Sequence, residues 1–218
     1  ITGVPGAGKL TFIESLGLQM IGKGESVAVL PVDPSSAISG GSILGDKTRM
    51  PQLAKSSDAF IRPSPSAGNE GGVGRHTREA IHLCEAAGFK LVIVETVGVG
   101  QSEYEVASMV DFFLVLMMPN AGDELQGIKR GIMEMADLIV INKADGDNIT
   151  KSKMAKLEYE NALHLFQLSD NGWFPKVKIC SALQNSGLDD VWESVLEYFK
   201  ILEANSFINN NRIEQNKH

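Results

Sequence analysis

Short apolar runs alternate with amphipathic stretches, and a glycine-rich turn runs into a lysine at the start of a helical pattern. These two observations predict an α/β fold: a mostly parallel sheet with helices on both faces. The apolar runs at 26–32, 60–62, 91–95, 112–117, 138–142 and 176–180 are rich in Val, Ile, Leu and Phe, and read as buried strands. Between them, 9–22, 77–87, 103–109, 124–135, 151–168 and 187–202 carry helical spacing. Right-handed crossovers are expected for such units. Two segments break the alternation. Residues 33–49 are small and polar, and residues 63–74 are rich in Gly and Pro. Connections of that length inside a compact domain are usually functional.

Composition narrows the function classes. The 218 residues are 43% hydrophobic and 22% charged, the profile of a soluble globular protein. A net charge of -7 disfavours nucleic acid and anionic membranes as partners. The longest apolar run, 112–118, is strand-sized and too short to span a membrane. Cys84 and Cys180 stand far apart with no CxxC companion, so they read as buried reduced thiols in an intracellular protein. His76, His82, His164 and His218 have no metal-ligand spacing. There is no signal-like segment.

Gly3-Val4-Pro5-Gly6-Ala7-Gly8-Lys9 has the composition of a phosphate cradle. Backbone N–H groups of such a turn point inward at phosphate oxygens, the following helix adds its positive end, and Lys9 reaches the β- and γ-phosphates. The next residue should offer a Ser or Thr hydroxyl to magnesium; here it is Leu10, with Thr11 one place late. Only Ile1-Thr2 precede Gly3, whereas such a loop hangs from a buried strand. The chain therefore reads as a fragment lacking most of its first strand.

Asn142-Lys143-Ala144-Asp145 follows an apolar strand. A carboxylate at Asp145 accepts from N1–H and the 2-amino group of guanine. Adenine has neither and would leave it poorly paired. Lys143 would lay its stem along the base, and Ser181-Ala182-Leu183 fits a backbone contact to the guanine oxygen. Glu95-Thr96-Val97-Gly98 ends the strand at 91–95; Glu95 suits magnesium, directly or through water, and Gly98 suits the γ-phosphate. Asp33 and Asp46 add carboxylates in and before the long polar loop. A water-orienting glutamine would be useful just after Gly98, but Val99 stands there and Gln101 lies further on. Slow intrinsic hydrolysis is expected. Arg49, Arg75 and Arg78 are the arginines that could approach a transition state.

Several stretches then resemble one family. Val32-Asp33-Pro34-Ser35-Ser36, residues 40–50, Ile61-Arg62-Pro63-Ser64-Pro65, residues 95–103 and residues 122–129 resemble the MeaB/ArgK/MMAA family of P-loop GTPases. These are G-protein chaperones of adenosylcobalamin-dependent acyl-CoA mutases, chiefly methylmalonyl-CoA mutase. The resemblance implies a G domain over 1–204 that binds GTP, GDP and Mg2+, with Lys9 on the phosphates. It implies that Asp33, Asp46 and Glu95 surround the metal and the attacking water. Residues 33–50 resemble switch I and 97–103 switch II. Residues 122–129 resemble a third switch, with Asp123, Gln126 and Lys129 as couplers to the mutase, and Gln101 is a switch residue in the 97–103 stretch. A homodimer of the full-length protein and a cytoplasmic location, or alternatively the mitochondrial matrix, are also implied. The polar 205–218 tail is expected to be unfolded, the start of a truncated C-terminal extension. Leu10 departs from the family pattern and predicts weaker metal binding. Two other readings stay open: a switch module with little or no hydrolysis, and an ATP-using kinase of a basic amino-acid transport system.

Overall fold

The computed structural model describes residues 1–33, 49–62, 64–65, 72–96, 102–119, 130–165 and 171–215. The chain divides into two compact units, Ile1–Val106 and Ala107–His218. Every described strand pair is parallel.

In the first unit, β1 (Thr2–Gly3) leads through a turn into helix α1 (Lys9–Gly22). Strand β2 (Val27–Asp33) is the centre of the sheet. Strand β5 (Leu91–Thr96) covers one edge of β2 without interruption, from Val27↔Leu91 to Val32↔Thr96. The opposite edge holds β3 (Ala59–Ile61) and β4 (Ser64–Pro65), both in the same register with β2. Ile1 adjoins the end of β5: its N donates to Val94 O at 2.7 Å, and Thr96 N donates to Ile1 O at 3.0 Å. Helix α2 (Gly72–Ala86) starts earlier than the predicted 77, absorbing Gly72 and Gly74 despite their poor helix propensity. Helix α3 (Ser102–Ala107) is short.

In the second unit, β6 (Leu114–Met117), β7 (Leu138–Ile141) and β8 (Lys176–Ile179) form a continuous ladder with β7 in the middle. All eight residues of β6 and β7 are buried, as their unbroken apolar composition requires. Helices α4 (Arg130–Met135), α5 (Asn148–Leu163) and α6 (Leu188–Ala204) follow. The predicted strand at 112–117 begins only at Leu114, because Phe112 turns into an aromatic cluster. Its ring meets Tyr198 edge-on at 4.8 Å, and Trp173 meets Tyr198 edge-on at 5.4 Å. Trp173, Tyr198 and Leu202 form the buried centre of this cluster, with Phe199, Ile201 and Ile208 packed against it.

The polar tail corrects its prediction. Phe207–Gln215 is a helix, α7, not an unfolded segment. Asn205 Oδ1 accepts from Phe207 N at 3.1 Å at its start. Arg212 then grips Asp111 with two hydrogen bonds of 2.8 and 2.6 Å, and Gln215 donates to Val110 O at 3.1 Å. Tertiary pairing supplies what composition lacks.

Candidate functional site

The glycine-rich turn is built for close approach of an anion. Gly8 sits in the left-handed region at φ 81°, where a β-carbon would be strained, and it is the N-cap of α1. It brings no side chain to the first turn, and that turn contains no acidic residue. The positive end of α1 therefore faces no carboxylate of its own first turn. Ala7 N donates to Val4 O at 3.1 Å, closing the turn from within. Pro5 and Gly6 are exposed, Val4 and Ala7 are buried, and Gly3 is buried as the last residue of β1.

Lys9 opens α1 and is 8% exposed. Its Nζ donates to Gly3 O at 3.0 Å, folding the ammonium back over the turn. Burial lowers its pKa below the ordinary lysine value, while the carboxylates of Glu95 and Glu103 push it back up. Glu95 is 8% exposed near the end of β5, and Glu103 is fully buried on α3. Glu95 was expected from the sequence. Glu103 was not singled out, although its place in the family-like 95–103 stretch was the available signal. Phosphate oxygens beside Lys9 would favour the charged ammonium. Next to Glu95, Thr96 Oγ1 donates to Thr2 Oγ1 at 2.7 Å, tying β1 to the strand that carries the carboxylate. Leu10 is half-buried and Thr11 is exposed on α1.

Among the described residues no group of three or more His, Cys, Asp or Glu side chains is arranged to hold a metal. Magnesium in nucleotide sites commonly takes one or two carboxylates and completes its shell with phosphate oxygens and water. Glu95 beside Lys9 suits that donor set, and Leu10 contributes no oxygen to it. Asp33 closes β2 and is described by its backbone alone. Asp46, Gly98, Gln101, Asp123, Gln126 and Lys129 lie outside the described residues.

The second unit carries the predicted base-reading residues, and they are brought together. Asn142 is buried just after β7. Its Oδ1 accepts from Ala182 N at 3.0 Å and from Cys180 Sγ–H at 3.5 Å. Two donors on one oxygen fix the amide orientation. Burial pushes the Cys180 thiol up to about 12, so it remains a neutral donor. Lys143 is exposed and adopts φ 60°, a left-handed conformation that costs a non-glycine residue about 1–2 kcal/mol. Ala144 N donates to Cys180 O at 3.0 Å, locking the turn to the end of β8.

Asp145 accepts a hydrogen bond from the Ser181 hydroxyl, and that hydroxyl in turn accepts from Gln184 N at 3.2 Å. Ser181 and Ser186 exchange backbone bonds of 2.9 and 3.1 Å, closing the 181–186 loop. Leu183, at its tip, is 78% exposed. Gly187 follows at φ 73°, and a β-carbon there would lie 2.4 Å from Ile179 O. The sequence named Asn142, Asp145, Ser181 and Ala182. It gave no role to Cys180 or Gly187, which hold them in place.

The whole chain, residues 1–218, matches the family model described as methylmalonyl-CoA mutase-associated GTPase MeaB. GTPase ArgK of Escherichia coli (strain K12) is 54% identical over 215 residues, covering 99% of this chain and 65% of that protein. The mitochondrial methylmalonic aciduria type A homolog of Mus musculus is 52% identical, covering 91% of this chain and 48% of its own length. A crystal structure of an LAO/AO transport system kinase superposes with a TM-score of 0.83 at 46% identity, covering 99% of this chain and 63% of that one. The chain thus spans roughly half to two thirds of the length of these relatives. With its α/β architecture of parallel strands and helices, it belongs to the MeaB family of P-loop GTPases.

Proposed function

We propose that this chain is the nucleotide-binding part of a GTP-hydrolysing chaperone for an adenosylcobalamin-dependent acyl-CoA mutase of the methylmalonyl-CoA type. The observation that carries the guanine reading is the Asn142–Asp145–Ser181–Ala182 network. It presents a carboxylate anchored by one hydroxyl and an amide anchored by two donors. The mutase reading rests on the family description and on the mammalian relative's name. The full-length protein would act as a homodimer in the cytoplasm, or in the mitochondrial matrix if it is organellar. No helix among the described residues is long and apolar enough to cross a membrane.

Each residue then has a physical task. Lys9 leaves Gly3 O and donates to β- and γ-phosphate oxygens, neutralising charge that grows on the leaving group. The amides of residues 6–10 hold the phosphates in line, so that hydrolysis becomes a question of positioning. Asp145 accepts from the guanine edge, and Lys143 covers the base. Glu95, with Asp33 and Asp46, would hold Mg2+, which supplies charge neutralisation across the β- and γ-phosphates. Water attacks the γ-phosphorus, the bond to the β-phosphate bridging oxygen breaks, and GDP and phosphate result. Loss of the γ-phosphate releases the segments that contacted it. Residues 122–129, with Asp123, Gln126 and Lys129, then report that state to the mutase.

The test is nucleotide choice followed by turnover. GDP should bind far more tightly than ADP. Single-turnover hydrolysis of GTP with Mg2+ should be slow, and faster in Leu10→Ser, which restores a hydroxyl. Tighter ADP binding would sink the guanine reading. It would favour the second reading, an ATP-using kinase of basic amino-acid transport, which draws on the name of the solved relative. Copurification of the full-length protein with a cobalamin-dependent mutase tests the partner separately.

A further inference from the structure

Cys180 follows β8 and meets the turn after β7 at three neighbouring places. Its N donates to Ile141 O at 2.9 Å, its O accepts from Ala144 N at 3.0 Å, and its thiol donates to Asn142 Oδ1 at 3.5 Å. The side chain is fixed by its own surroundings. Cys180 is buried, and burial holds the thiol in its S–H form. A β-carbon on Gly187 would lie 3.1 Å from Cys180 Cα and 3.4 Å from Cys180 Cβ, so a glycine N-cap lets α6 begin directly against the cysteine.

The direction of the Asn142 amide follows from its donors. Asn142 is buried, and its N donates to Met117 O at 2.9 Å. Ala182 N can only donate, so the atom it meets at 3.0 Å is the carbonyl oxygen. The thiol faces that same oxygen and is therefore a donor as well. Rotating the amide would set its NH2 group against Ala182 N–H and leave the sulfur as a weak acceptor. Nδ2, with its two hydrogens, thus occupies the branch of the amide away from Cys180 and Ala182.

That direction has a chemical consequence for a purine whose N1–H and 2-amino edge is read at Asp145. The remaining edge carries N7 and the 6-substituent. Guanine offers two acceptors there, N7 and O6, whereas adenine offers N7 and a 6-amino donor. An amide held with its nitrogen toward this edge matches guanine, and one N–H is enough for the contact. The rotated amide would match the adenine amino group.

We infer that Cys180 is a specificity-determining positioning residue: its S–H holds the Asn142 amide in the orientation that suits a 6-oxo purine and rejects a 6-amino purine. This selection is separate from that at Asp145, and it comes from a residue that does not touch the base. It rests on the guanine reading above.

The experiment titrates GDP, inosine diphosphate and ADP against wild type, C180S, C180A and C180V. Inosine diphosphate keeps O6, N7 and N1–H and lacks only the 2-amino group, so its ratio to GDP reports Asp145 alone. C180A and C180V remove the donor, and C180S keeps one. In C180A and C180V the preference for GDP over ADP should shrink about 3- to 10-fold, the contribution of one neutral hydrogen bond, while the ratio of GDP to inosine diphosphate stays within about twofold of wild type. C180S should keep the wild-type preference. The Asn142 side-chain amide, followed by NMR without nucleotide, should give one pair of resonances in wild type and C180S and a broadened or doubled pair in C180A and C180V.

A preference for GDP over ADP that C180A and C180V leave intact overturns the inference, as do unchanged Asn142 resonances in those variants. So does a C180S as altered as C180V, or an equal loss of all three nucleotides, which marks general damage. If C180V is too unstable to titrate, C180A and C180S carry the same comparison. A wild type with no preference for GDP over ADP fails the guanine reading itself, and this inference falls with it. A strong wild-type preference that survives loss of the thiol sinks this inference alone.

Discussion

Replacing Gly187 by Ala should damage guanine recognition without touching any residue that meets the base. Gly187 has φ 73°, and its added β-carbon would lie 2.4 Å from Ile179 O and 3.1 Å from Cys180 Cα. The left-handed conformation alone costs about 1–2 kcal/mol for an L-residue. The overlap is with backbone, which cannot rotate away, and overpacking of that kind adds roughly 1–3 kcal/mol. The sum is about 2–5 kcal/mol. Relief requires moving Ile179 and Cys180, and Cys180 O is the acceptor for Ala144 N at 3.0 Å. That movement is transmitted to Asn142 through the Cys180 thiol and to Asp145 through Ser181. Gly24→Ala is the control: its φ is 88° but nothing lies within 4 Å of the new carbon, so only the conformational cost applies. Urea denaturation and GDP titration on both variants give the comparison. G187A should be the less stable by about 1–3 kcal/mol and should lose GDP affinity, while G24A keeps it. Equal destabilisation of the two, or a G187A that binds GDP like wild type, would refute the claim that the end of β8 sets the geometry of the base-reading residues.

Lys9→Met removes the ammonium that sits in the field of Glu95 and Glu103 and that, on the proposed reading, meets the phosphates. GDP affinity measured by titration calorimetry should fall roughly 10- to 100-fold, the worth of one or two charge-assisted hydrogen bonds. Asp145→Asn should weaken GDP by a similar factor and shift preference toward xanthosine diphosphate, whose 2-oxo group accepts from the new amide; competition between the two ligands reads this directly. Asp137 gives a pH prediction. Burial pushes its carboxyl up to about 7, against the pull of the hydrogen bond its Oδ2 accepts from Phe113 N at 2.7 Å. The folded state therefore holds a proton that the unfolded chain releases near pH 4, so this stabilising contribution is present in acid and is lost as pH rises through about 7. Asp137→Asn keeps an acceptor oxygen and should flatten the fall in denaturation midpoint between pH 5.5 and 8. That fall is at most about 2 kcal/mol, because the residue retains partial exposure to water.

The parts of the molecule that were legible in the sequence are those specified by neighbours in the chain. Unbroken apolar composition at 114–117 and 138–141 demands strands buried on both faces, and such strands form. Gly8 before Lys9, and Asn142 three residues before Asp145, are the local spacings on which the proposed nucleotide site rests. Their placement depends on contacts that leave no periodic trace. Cys180 reaches Asn142 across 38 residues, and Glu14 reaches Gln52 across another 38. Glu103 stood in the family-like 95–103 stretch, but nothing beside it in sequence reveals that Lys9 is near.

The Asn-rich tail makes the same point in reverse. Its composition cannot bury enough apolar surface to order itself, and the physical argument for disorder is sound for a chain on its own. It fails because Asp111, 101 residues from Arg212, offers a carboxylate for a bidentate guanidinium pair, and because Ile208 packs onto the Trp173 cluster. An exposed ion pair alone contributes little. Here it is joined by the Asn205 cap, the Gln215–Val110 bond and an apolar contact, each fixing the same nine-residue helix. Once one contact has ordered the segment, the others form at reduced entropic cost, and a helix too short to be stable alone persists. Local propensity sets what a segment does unaided, and the distant acceptor decides whether it is ever unaided.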